Sequence, residues 1–140
     1  QKLDRDPNHV PTYHTLAKIY ANKGQLEEAQ HWCEQAIDKD KLEPEPYFTL
    51  SMVYQGHGLT DKAIEALKRT LYLDPTFVLG HYSLANLYLQ QGESDLAARS
   101  YRNVRRLLAC KGTDELVPEG DGLVVGRLLE LVDMVLNNLD

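Results

Sequence analysis

Apolar and polar positions recur along this chain with a period of 34 residues. Under that shift Tyr13, Tyr47 and His81 align, as do Leu16, Leu50 and Leu84, and Ala17, Ser51 and Ala85. Tyr20, Tyr54 and Tyr88 follow, then Gly24, Gly58 and Gly92, and then Ala29, Ala63 and Ala97. Cys33, Leu67 and Tyr101 form a further column, Ala36, Thr70 and Val104 another, and Pro7, Lys41, Pro75 and Ala109 close the pattern. The aromatic, Leu and Tyr columns fall at i, i+3 and i+7, one face of a helix. The small residue beside each Leu and the Ala column on the next segment let two helices approach closely. Gly between them supplies the backbone freedom that ends the first helix, and Pro75 cannot continue the second. The spacing predicts helices over 11–22, 26–39, 45–56, 60–73, 79–90 and 94–109, and no strands. One hairpin alone cannot bury its apolar faces, so neighbours must stack into an all-α right-handed solenoid.

The register is lost after Ala109. Residues 110–122 mix acids, Gly and Pro118 and read as a loop. Residues 123–139 read as one more helix. Its polar residues Arg127, Glu130, Asp133 and Asn137 make a narrow stripe, against Val124, Leu128, Leu131, Val132, Val135 and Leu139. So wide an apolar face predicts burial on more than one side. The helix could cap the last repeat, pack on a second copy as a homodimer, or fold back onto the repeats.

The columns over residues 7–109 resemble tetratricopeptide (TPR) repeats: aromatic, Leu-small, aromatic, Gly, Ala, then Pro. The predicted units are repeats at 10–43, 44–77 and 78–109, a loop at 110–122 and a helix at 123–139. Residues 1–9 read as the end of a preceding repeat. A second resemblance lies in residues 72–82, 101–108, 117–123 and 126–131. These stretches are similar to the C-terminal repeat region of CheR-type chemoreceptor methyltransferases. That resemblance implies a regulatory segment behind an S-adenosylmethionine-dependent domain lying before Gln1, one that methylates receptor glutamates. It implies partners such as the chain's own methyltransferase domain, a chemoreceptor or a response regulator. The alternative is a general TPR adaptor or assembly protein with no methyltransferase attached.

Composition narrows the partners. The net charge is −6, which argues against nucleic acid and against charge-driven docking on an anionic membrane. Gln1 is followed by Lys2, Asp4, Arg5 and Asp6, unlike a secretory leader. No apolar run reaches the length of a membrane span. Cys33 and Cys110 sit in different segments, so free thiols and a reducing cytoplasm are expected.

No catalytic or metal chemistry stands out, and no cofactor is expected in this segment. There is no strand followed by a Gly-rich phosphate turn. His9, His14, His31, His57 and His81 lack ligand spacing. Cys33 reads as a buried small apolar residue, and Glu27 and Glu28 as a solvated helix start. The candidate site is a groove lined by the non-core faces of the first helices. It comprises His14, Lys18, Ala21 and Asn22, then Phe48, Met52 and Gln55, then Leu79, Tyr82, Asn86 and Leu89. Exposed apolar groups among amides suit a helical partner segment, unless the terminal helix covers them. TPR domains that grip a C-terminal carboxylate use several cations and amides. The corresponding positions here hold His14, Lys18, Thr49, Leu79 and Ser83, with Lys18 the one full cation, so that reading is rejected. Arg99, Arg102, Arg105 and Arg106 make a basic stripe on the last repeat. It would be a solvated face, pair locally with Asp114, Glu115, Glu119 and Asp121, or dock on an acidic surface.

Overall fold

The computed structural model describes residues 10–139. The preceding-repeat remnant read over 1–9, with Pro7 and His9, lies outside the described residues. Seven helices occur among those described: α1 Val10–Asn22, α2 Leu26–Lys39, α3 Pro44–Gly56, α4 Thr60–Leu73, α5 Val78–Gln90, α6 Ser94–Leu108 and α7 Val125–Leu139. No strand forms among them; Leu116 and Val124 make an isolated antiparallel bridge. The helix limits match the sequence pattern to within one or two residues. Pro44 opens α3 at its first turn, where its missing N–H has no partner to lose.

The chain divides into two compact units, one ending at Asp74 and one starting at Pro75. In the first, α1 packs on α2 and α3 on α4, while α3 also meets α2 and α1. In the second, α5 packs on α6, and α6 on α7. The small columns explain the close hairpins. Ala17, Ala29, Ser51, Ala63, Ala85 and Ala97 are fully buried, so the two helices of each hairpin meet through them. Ser51 satisfies its hydroxyl locally by donating to the Phe48 carbonyl at 2.6 Å. In the first unit Ala17, Cys33 and Leu50 form a core cluster flanked by Trp32, Ile37 and Tyr54. Tyr13 stacks on Trp32 with ring centroids 5.6 Å apart.

Each hairpin turns by one device. Gly58 adopts φ +74°, with Gly24 and Gly92 alike. The Gly58 N–H donates to the Gln55 carbonyl at 3.0 Å, and the Leu59 N–H to the Tyr54 carbonyl at 2.9 Å. This pair of bonds satisfies carbonyls that the helix end leaves open. A second repeated device ties the hairpins to what precedes them. The Tyr47 hydroxyl donates to the Lys41 carbonyl at 3.4 Å, and His81 Nε2 lies 2.8 Å from the Pro75 carbonyl. A carbonyl only accepts, so His81 carries its proton on Nε2.

The loop before α7 is ordered by its backbone. The Val117 N–H bonds to the Leu123 carbonyl at 2.8 Å, and Val117 is buried. The Val125 and Gly126 N–H groups bond to the Glu115 and Thr113 carbonyls at 2.8 and 2.9 Å. The loop therefore caps the first turn of α7. A Cβ on Gly126 would come within 3.2 Å of Thr113.

Helix α7 departs from the sequence expectation. Its buried residues are Val125, Leu128, Val132 and Leu136, a single stripe facing α6. Val124, Leu131, Val135 and Leu139 are half-buried, and Met134 is 61% exposed. Burial on more than one side is not found, because a straight helix packed on one neighbour covers only one stripe.

Candidate protein-binding surfaces

In the first unit the candidate groove residues come from α1 and α3, which touch directly. A His14 ring nitrogen lies 2.8 Å from Thr49 Oγ1 across that seam. The seam corrects one assignment. Phe48 is only 4% exposed and belongs to the core. It immediately precedes Thr49, where α1 and α3 meet, so its position is closed. Leu79, at the start of α5, is likewise buried. The surface opens further along the helices. Met52 is 41% exposed, Asn22 and Gln55 are exposed, and His14, Lys18 and Ala21 are half-buried.

In the second unit the candidates gather around one aromatic group. Tyr82 meets Tyr101 of α6 edge to face, ring centroids 6.1 Å apart. The Tyr101 hydroxyl donates to Asn86 Oδ1. Burial pushes the Tyr101 hydroxyl up to about 12, with Tyr82 adding a smaller push, so it remains a donor at neutral pH. With its oxygen engaged, Asn86 presents its two N–H donors beside the exposed Leu89. The sequence carried a clue to this bond: Tyr101 stands in the column that holds Cys33 and Leu67. A buried Tyr there must find a partner for its hydroxyl.

The basic stripe lies on α6, whose opposite face buries Ala97, Ser100, Tyr101, Val104 and Leu108. All four arginines are exposed. Arg105 does not pair with the acidic loop; its guanidinium sits 3.6 Å from Asp133 of α7. Arg106 reaches Asn103 at 3.5 Å.

One surface escaped the sequence reading. Tyr47, Leu50 and Tyr54 of α3 floor a shallow dip of about 250 Å³, walled by Lys62, Ala66 and Arg69 of α4. Lys62 Nζ stands 5.8 Å from the Tyr54 ring and Arg69 Cζ 6.0 Å from the Tyr47 ring. The repeat pattern places these tyrosines in core columns, and their half-exposed edges depend on the neighbouring helix. Cys33 is buried and Cys110 exposed, both as free thiols. Among the described residues, no cluster of three or more His, Cys, Asp or Glu could hold a metal ion. No helix among them is long and apolar enough to cross a membrane.

The hairpin geometry is shared with known proteins. Residues 3–31, 44–77 and 81–108 each match the tetratricopeptide repeat family. This is a tetratricopeptide-repeat protein. No curated protein matches the sequence. Among solved structures, the repeat chain is similar to PcrH in complex with the chaperone binding region of PopD. The TM-score is 0.78 at 16% identity, covering 96% of this chain and 92% of that one. It is similar also to the Yersinia enterocolitica type III secretion chaperone SycD in complex with a peptide of the translocator YopD. There the TM-score is 0.71 at 20% identity, covering 89% and 92%. MamA from Desulfovibrio magneticus RS-1 matches at TM-score 0.70 and 22% identity, covering 78% of this chain and 62% of that one. At these identities the likeness establishes the all-α TPR fold. The family matches are to TPR repeats in general, and none of the comparisons ties the chain to a CheR-type methyltransferase; the loop and α7 lie beyond the three matched stretches.

Proposed function

We propose that this chain is a non-catalytic protein-interaction module that holds an amphipathic segment of a protein partner. The observation that carries this reading is the Asn86–Leu89 surface, a fixed amide donor pair beside an exposed apolar side chain. Met52 and Gln55 repeat the apolar–amide pairing in the first unit. Such surfaces suit the apolar face of a helix, or an extended segment with backbone carbonyls to satisfy. PcrH and SycD, each seen with a stretch of another protein, support a general adaptor or chaperone-type role. A photo-crosslinker at positions 52 and 89, with position 68 as control, would identify the partner. Binding of that purified partner should then weaken by about tenfold in Met52→Glu or Leu89→Glu, with helicity unchanged. Unchanged affinity in both variants removes these surfaces from the function.

The second reading rests on the resemblance of residues 72–82, 101–108, 117–123 and 126–131, and makes the chain a regulatory segment of a CheR-type methyltransferase. Receptor methylation by the parent chain, with the segment present, deleted and added back in trans, separates the two. A rate that falls or rises on deletion and recovers in trans supports the regulator; an unchanged rate leaves the adaptor. A homodimer through the half-exposed flank of α7 is an accompanying proposal, and a strict monomer at high concentration in sedimentation removes it.

A further inference from the structure

We propose that the outer face of α6 is a second docking surface, which takes an acidic helical segment of a protein partner through Arg99, Arg102 and Arg106. These three arginines sit three and four residues apart, so they line up along about 10 Å of one helix face. The buried residues on the other side of α6 fix that face outward. Arg105 is set apart by geometry: it leans to α7 and is engaged by Asp133. Among the described residues, neither Arg99 nor Arg102 makes an ion pair, and Arg106 makes only a long contact to Asn103.

The residue type narrows the ligand. Arginine offers a planar fork that matches carboxylates two bonds at a time, and it holds its charge at any physiological pH. Three forks along one helix match carboxylates at the same spacing on a facing helix. A duplex nucleic acid fits less well. The chain carries net charge −6. Asp95 lies in the first turn of the same helix, one turn before Arg99, whereas Glu130 and Asp133 of the adjoining α7 are engaged by Arg127 and Arg105. A long row of phosphates would run into Asp95, whereas a short acidic helix need only span the three arginines. The arginines belong to α6, whereas Met52 belongs to α3 and Leu89 to α5, so either proposal can fail without the other.

The test uses the full chain and a synthetic helical peptide of roughly 14 residues with Glu at i, i+3 and i+7. A Gln-for-Glu peptide and a duplex DNA of about 20 base pairs serve as comparisons. At about 50 mM salt the Glu peptide should bind and the Gln peptide should not, with affinity falling as salt rises. The triple variant Arg99→Gln, Arg102→Gln, Arg106→Gln should lose about tenfold or more in affinity. Arg105→Gln, and the control Lys39→Gln, Lys41→Gln, Lys68→Gln, should stay within about twofold. All these positions are exposed, so circular dichroism should not change. No binding of the Glu peptide overturns the proposal. Equal loss in the lysine control reduces it to unspecific attraction. Tighter binding of the duplex, lost in the arginine variant, replaces the acidic partner by nucleic acid.

Discussion

Cys33 shows what burial does to a single side chain. It sits in the core column, and its thiol is pushed up to about 12, mainly by burial and secondarily by the Glu34 charge. In the folded chain it stays protonated, while in the unfolded chain it ionises near the ordinary 9.0. The folded state therefore binds the extra proton between those values. Its contribution is constant below pH 9 and lost as pH rises toward 12, at up to about 1.4 kcal/mol per pH unit. A urea series at pH 8 and 10.5 should show a smaller loss for Cys33→Ala than for the native chain. At pH 8, iodoacetamide should label Cys110 and spare Cys33 until the chain unfolds. Phe48 gives the second prediction at this scale. As a core residue, Phe48→Ala should cost about 3–5 kcal/mol in urea unfolding. The exposed Met52→Ala, one turn on, should stay within about 0.5 kcal/mol. Equal, small effects would return Phe48 to the groove.

At the scale of the element, turns and stripes decide. Gly58→Ala meets nothing within 4 Å, so any cost is backbone strain at φ +74°. A loss of about 1–2 kcal/mol is expected, measured by thermal or urea unfolding. For α7 the single buried stripe separates positions that look alike in sequence. Leu128→Ala should cost about 2–5 kcal/mol, and Met134→Ala less than about 0.5 kcal/mol. If both prove costly, another surface covers the outer face of α7, as a dimer would. How far elements were legible follows from this. The helix limits, the Gly turns and the small columns could all be read, because each depends on residues within one turn or one hairpin. The one-sided burial of α7 could not, because it depends on how many helices meet it.

For the whole molecule, charge is the accessible quantity. With net charge −6 at neutral pH, copies repel one another. That repulsion fades as the pH approaches 5.3. Light scattering should therefore peak near that pH and fall on either side. A peak near neutrality would mean that association is governed by apolar surface, with the flank of α7 the first place to look.

The sequence by itself determined that this chain is built from TPR hairpins, where each helix starts and stops to within a residue or two, and that the small columns are core. Those properties repeat every 34 residues, and repetition turns a weak local signal into a strong one. Tertiary structure alone decided the fate of the surface candidates. Periodicity fixes the direction of a side chain about its own helix axis, but not what stands opposite. Phe48 and Leu79 point where a groove was expected and are buried. Asn86 is held by Tyr101 from the next helix, and Arg105 leaves its stripe for Asp133 of α7. Each outcome depends on a neighbour at a distance of a few ångströms, and the order of residues along one helix does not contain that distance.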